Sequence, residues 1–236
     1  MGLAYRTLGK YDEAEVLWKR LLEASIRTEG TINTQGSCRL LDDLGCLFTM
    51  TKRYAEAEAN FEKALAGREE QLQNGVRAAP GEPLTLGPEL GVAEACRHYG
   101  ILKQAQGKLE DAEALHRRSL SIFRKQLGPK HTWTLLSIAD LGDISRARGQ
   151  LKVAEMPLKS ALRDMEEHLG ESHDYTVKIY QNLGELLLLM GRKEDTLGLL
   201  EKAAMGLEVL RGQNSVVACK AREWIRIVRD VDREEE

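Results

Sequence analysis

Long apolar runs are absent. No stretch of the 236 residues approaches the length a helix needs to span a bilayer, which excludes a transmembrane reading. Charge of one sign is not in excess either. A net charge of −3 gives no overall field favouring nucleic acid or an anionic membrane. Aromatic residues make up only 5% of the chain, and proline occurs five times. Cysteine occurs four times, as Cys38, Cys46, Cys96 and Cys219, with no CxxC pair. Such scattered thiols read as small, reduced apolar residues rather than as a disulfide framework or a zinc site. The opening MGLAYRTLGKYDEAE holds no apolar h-region of a secretory signal, and Arg6 stands where a myristoylation pattern requires Ser or Thr. The expected location is cytoplasmic. What is present is 42% apolar and 30% charged residues, the balance of a soluble, folded chain.

The sequence also repeats itself. GKLEDAEALHRRSL starts at Gly107, and GQLKVAEMPLKSAL follows 42 residues later at Gly149. The anchor is a small residue followed by an acid: Ala14-Glu15, Ala57-Glu58, Ala112-Glu113 and Ala154-Glu155, with a degenerate fifth copy at Thr196-Leu197. The intervals are 43, 55, 42 and 42. Thirteen residues before each anchor stand Met1-Gly2, Leu44-Gly45, Tyr99-Gly100, Leu141-Gly142 and Leu183-Gly184; five before it, Gly9, Lys52, Gly107, Gly149 and Gly191. A period of this kind signals a repeat architecture. Each copy reads as a helical hairpin. The small position in Leu-Gly lets two helices cross closely, with the anchor alanine as the matching small residue on the second helix. The glycine between them ends the first helix in a left-handed cap. One hairpin cannot bury its apolar face alone, but stacked neighbours can.

These residues resemble the tetratricopeptide repeat: an apolar-small pair, a loop glycine, a small residue, and a bulky one four later (Trp18, Phe61, His116, Leu158, Leu200). The 42-residue period, with LGPKHTWTL from Leu127 and LGESHDYTV from Leu169 between hairpins, is similar to the kinesin light chain and nephrocystin-like class. The resemblance implies an all-α, right-handed alpha-solenoid, a superhelix of antiparallel helical hairpins. The array divides into a partial repeat 1 over 1–30, repeat 2 over 31–72, an inserted loop over 73–87, repeat 3 over 88–128, repeat 4 over 129–170, repeat 5 over 171–212 and a C-terminal capping helix over 213–236. Met1-Gly2 falls in the middle of a first helix, so the chain reads as a fragment or a truncated form. The long interval places its excess in QNGVRAAPGEPLTLG, with a helix expected from Pro88. Loops of that length are usually functional or disordered, and this one is expected to modulate access or dock a second partner. Pro157 sits inside a second helix and is expected to bend it. In the last helix Val217, Trp224, Ile225 and Val228 are expected to pack on repeat 5, with Lys220, Arg222, Arg226 and Arg229 facing water.

Polar residues on the first helices are the candidate peptide-binding groove, because those helices line the concave face in this architecture. They are Asp42 and Asp43 with Cys46 and Thr49; Arg97, His98 and Gln104 with Ile101; Asp140, Asp143 and Arg146; and Gln181, Asn182 and Glu185. The asparagines that precede the apolar-small pair in kinesin light chain-like grooves read here Asp43, His98, Asp140 and Asn182, so one rung survives. Arg97 is the one cation near a carboxylate-clamp position of chaperone-binding repeats, which is too few to grip a C-terminus.

Catalytic and metal patterns are lacking. Gly107-Lys108 has no upstream glycine of a phosphate loop, and there is no GxSxG or HExxH. HLGESHD holds histidine beside acids, but His131 recurs at the His173 position, so the repeat accounts for it. The basic run His116–Lys130 has no aromatic platform of the kind that stacks bases. The reading is a non-catalytic scaffold without metal or cofactor, which binds a protein or peptide partner and neither nucleic acid nor membrane. The alternative is the C-terminal sensor module of a larger STAND-type NTPase, with an NTPase domain in cis.

Overall fold

In a computed structural model, residues 10–75, 87–212 and 216–230 are described; the side chains of 211, 216, 217, 220 and 221 are not. Met1-Gly2, Gly9, most of the 73–87 loop, Val217, Lys220 and the closing glutamates therefore lie outside the described residues or side chains. The chain divides into two compact units, Met1–Gln126 and Leu127–Glu236. The first holds α1 (Tyr11–Glu29), α2 (Gln35–Met50), α3 (Tyr54–Gln73), α4 (Pro88–Ala105) and α5 (Leu109–Leu127). The second holds α6 (Thr132–Ala147), α7 (Leu151–Leu169), α8 (Asp174–Leu189), α9 (Lys193–Arg211) and α10 (Val216–Asp230). No strand occurs among the described residues. Each unit is an all-α stack of hairpins of the solenoid class: α2 with α3 and α4 with α5 in the first, α6 with α7 and α8 with α9 in the second.

The hairpin turns follow the spacing. Gly107, Gly149 and Gly191 take φ of 77°, 73° and 74°. The residue after each donates its N–H back to the end of the first helix, as in Lys108 to Lys103 O at 2.9 Å and Arg192 to Leu187 O at 2.9 Å. Two carbonyls that a helix end leaves open are closed this way. Lys52 adopts the same left-handed geometry with φ 60° although it carries a Cβ. That conformation costs an L-residue about 1 kcal/mol.

Between hairpins, the recurring histidine is a helix cap. Nδ1 of His131 accepts the Trp133 N–H at 3.2 Å, and Nδ1 of His173 accepts the Tyr175 N–H at 3.2 Å. Thr34 fills the same register before α2, its hydroxyl accepting from the Ser37 N–H at 3.1 Å. Side-chain acceptors at this position satisfy an N–H that the first turn cannot. Helix α4 starts at Pro88, as expected; there the missing N–H is not needed. Helix α7 continues unbroken through Pro157.

The helix crossings need one correction. The anchor alanines Ala14, Ala57, Ala112 and Ala154 are fully buried. The repeat glycine, however, faces the bulky residue four positions beyond the anchor. A Cβ on Gly45 would lie 2.7 Å from the Phe61 ring, on Gly100 2.7 Å from His116, on Gly142 2.8 Å from Leu158, and on Gly184 3.3 Å from Leu200. Small and large are thus paired across each hairpin, knob into gap, and the alanine lets the second helix settle close. Burial of each apolar knob, Phe61, Leu158 and Leu200, contributes about 1.5–3 kcal/mol.

The acid after the anchor ties successive hairpins. Glu15 takes Arg53 at 2.5 Å, Glu58 takes Lys103 and Gln106 (the latter at 3.0 Å), and Glu155 takes Arg192 at 2.5 Å. Lys103 and Gln106 hold the Glu58 carboxyl down at about 2. Arg53 and Arg192 stand at one register, four residues before their own anchors.

Helix α10 begins 42 residues after α8, so it keeps the register of a first helix, and Arg226 stands where Gly184 stands one period earlier. Ile225 and Val228 are buried against Leu200 and Ala204. Trp224, expected to pack with them, is 42% exposed. One residue of helix rotation carries it off the Ile225–Val228 stripe. Arg222 and Arg229 reach back to Glu208 and Glu201 on α9.

Candidate functional site

In the first unit, Asp42 is buried and belongs to an ion pair within the stack. Arg68 of α3, 5% exposed, pairs with Asp42 of α2. It also donates to the Gly91 carbonyl of α4 at 2.8 Å and reaches Glu94 at 3.3 Å. One guanidinium therefore joins three helices, using the planar fork of donors that only arginine offers. Gly91 leaves it room; a Cβ there would lie 3.3 Å from Arg68 Cδ. Burial raises the Asp42 carboxyl to about 7, against the pull of Arg68. The same register on α5, α7 and α9 carries Phe123, Met165 and Leu207, all buried. An arginine at an otherwise apolar position was the sequence signal for this pair. Asp43, Arg97, His98 and Gln104 lie half-buried on α2 and α4.

In the second unit, five of the six candidates on α6 and α8 come together. Asn182 donates from Nδ2 to Asp143 Oδ2 at 2.7 Å. Arg146 reaches Glu185 at 3.0 Å, and its Nε stands 3.7 Å from Asp143 Oδ1. Lys178, which the sequence reading did not single out, reaches Asp140 at 3.3 Å. Gln181 is half-buried on α8 beside them. Asp140 and Asp143 are 2% and 8% exposed, so the carboxylates sit at the floor. The Arg146–Glu185 pair is more open, at 25% and 32% side-chain exposure. Burial first, and then the Asp140 charge, push the Asp143 carboxyl up to about 7. Asp143 Oδ1 and Arg146 Nε are buried and face each other at 3.7 Å, with no hydrogen bond to either atom among the described residues. The part-exposed pair can accept a donor at Glu185 and give one from Arg146. That is the complementary pair a backbone amide presents.

No group of three or more His, Cys, Asp or Glu side chains among the described residues is placed to hold a metal ion. No described helix is long and apolar enough to cross a membrane. The basic run lies along α5, where Arg117, Leu120, Ser121, Arg124 and Lys125 line a shallow depression. A second depression in the other unit is lined by Gly149 to Val153 and Met190.

The model of the tetratricopeptide repeat matches residues 1–70 and 92–167. No curated protein matches the sequence. Among solved structures, BtubC (BKLC) from P. vanneervenii is 17% identical, with a TM-score of 0.66 over 95% of this chain and 89% of that one. A putative kinesin light chain of nearly identical TPR-like repeats from Podosopora anserina is 18% identical, with a TM-score of 0.60 over 89% and 93%. A thermophilic TPR protein of Thermus thermophilus is 19% identical, with a TM-score of 0.57 over 96% and 94%. At these identities the likeness is one of fold. With the repeat register, the hairpins and the family match in agreement, the chain belongs to the tetratricopeptide repeat family.

Proposed function

We propose that this chain is a non-catalytic protein-interaction scaffold that binds an extended peptide segment across the first helices α6 and α8. Proteins of this repeat generally serve protein–protein interaction, and the polar cluster gives that role a place. The observation that carries the reading is the Arg146–Glu185 ion pair, part-exposed above the buried Asp140 and Asp143 carboxylates. An extended segment offers a backbone N–H and C=O at each residue, which matches one acceptor beside one donor. The four cysteines form no disulfide among the described residues, in keeping with a cytoplasmic location.

Affinity capture from cytosol tests this. Wild type is compared with an Arg146→Gln/Glu185→Gln variant, which keeps side-chain size and removes both charges. Equal helicity and melting temperature are confirmed first. A partner captured by wild type and lost by the variant supports the site. Partners retained equally by both place binding elsewhere.

A further inference from the structure

Two of the second helices, α3 and α7, carry an acidic pair at places where α5 carries two cations and α1 carries Ile26-Arg27. Twelve and thirteen residues after the anchor stand Glu69-Glu70 on α3 and Glu166-Glu167 on α7, and Glu208 holds the first of these places on α9. These acids serve the stack: Glu69 takes Arg118, Glu70 takes Asn33, Glu166 takes Lys202, and Glu208 takes Arg222. On α5 the same places are Arg124 and Lys125. Both are exposed, and neither has an ion pair among the described residues. No acid occurs from residue 114 to 139, a stretch that holds Arg117, Arg118, Arg124, Lys125 and Lys130. The Arg117 side chain is 70% exposed, and among the described residues it pairs with Glu113 one turn back. Half-buried Leu120 and exposed Ser121 lie between these cations, in the depression that Arg117, Arg124 and Lys125 surround.

We infer that this face of α5 docks an acidic, extended segment of a partner protein, at a site separate from the first-helix cluster. The dimensions define the segment. Arg117 and Arg124 are seven residues apart on a helix, about 10 Å at 1.5 Å per residue. An extended chain covers about 10 Å in three residues. The fitting segment has an acid at one position and an acidic pair from three positions on, with an apolar residue between them over Leu120. Guanidinium and ammonium donors meet carboxylates in charge-assisted hydrogen bonds. A nucleic-acid strand fits less well, because no aromatic side chain lines the depression for base stacking.

The test uses the whole chain and a fluorescein-labelled peptide, Gly-Glu-Leu-Ser-Glu-Glu-Gly, followed by fluorescence polarisation. The expected result is saturable binding that weakens as salt is raised from about 50 mM to about 200 mM. An Arg124→Glu/Lys125→Glu variant, which gives α5 the acidic pair of α3 and α7, loses about tenfold or more in affinity. It gains affinity for the peptide with lysine in place of each glutamate. Circular dichroism confirms an unchanged fold, and Arg124→Gln/Lys125→Gln gives an intermediate loss. The inference is overturned if the acidic peptide does not bind at low salt, or if its affinity is the same for wild type and the Glu/Glu variant. Tighter binding of short single-stranded DNA or phosphatidylserine vesicles than of the peptide also overturns it.

Discussion

Gly142 and Gly184 occupy one register in neighbouring hairpins of one unit, and each faces a leucine. A methyl at Gly142 would lie 2.8 Å from Leu158 Cγ, 3.0 Å from Cδ2 and 3.1 Å from Cδ1. At Gly184 it would lie 3.3 Å from Leu200 Cδ2 and 3.5 Å from Cγ. Carbon atoms pack best at about 3.5–4.0 Å, so the first methyl hits a branch point and the second meets one branch end. Alanine favours a helix interior over glycine by about 1 kcal/mol. Overpacking a tight contact costs about 1–3 kcal/mol. Gly184→Ala therefore comes out neutral to about 1 kcal/mol stabilising. Gly142→Ala comes out about 1 kcal/mol destabilising. The gap of about 1–2 kcal/mol corresponds to about 4–8 °C for a unit of this size. Thermal unfolding followed by circular dichroism reads it directly. If both variants shift by the same amount in the same direction, helix propensity alone governs these sites and the knob-into-gap account is wrong.

Three further outcomes follow from named contacts. The folded Asp143 carboxyl titrates near 7 because of burial and Asp140, whereas an unfolded Asp titrates near 4. The folded state thus holds an extra proton between these values, so stability falls as pH rises from about 4 to about 7 and levels off above. Asp143→Asn is expected to melt above wild type at pH 8 and to converge with it at about pH 4; Asp42, which burial also raises to about 7, keeps a slope of the same sign in the other unit. A variant that tracks wild type at every pH removes Asp143 from that slope. Lys52→Gly relieves a left-handed φ of 60° and is expected to stabilise by about 1 kcal/mol in urea unfolding; a loss of stability would show that the Lys52 side chain matters more than its backbone. His173→Ala is expected to lose about 1 kcal/mol of cap energy while His173→Asn, which keeps a side-chain acceptor, stays near wild type; equal losses would mean that the imidazole acts through something other than the Tyr175 N–H.

The architecture was legible because repetition shows each structural constraint several times. Four small residues before four anchors, three loop glycines and a helix start at Pro88 all appear in the structure where the period puts them. What faces Gly45 or Gly142 was less legible, because spacing shows which residues are small and not which large one fills the gap. The buried Arg68–Asp42 pair was legible only as a break in an apolar register. A further small position was seen too few times to be recognised. Gly67 and Gly206, ten residues past their anchors, bring their helices to Cys38 and Val177, where an added Cβ would stand 2.7 Å and 2.6 Å from the neighbour. Of the candidate site, the sequence placed Asp140, Asp143, Arg146, Asn182 and Glu185 on first helices. It did not place the hydrogen bond between Asn182 and Asp143, which crosses from one hairpin to the next, or the charge inversion on α5.

The most direct test of the scaffold reading is amide hydrogen exchange on the chain alone and with its captured partner. A partner laid across α6 and α8 is expected to slow exchange in residues 132–147 and 174–189 and to leave 151–169 and 193–211 unchanged. Protection confined to those second helices would contradict a first-helix binding site.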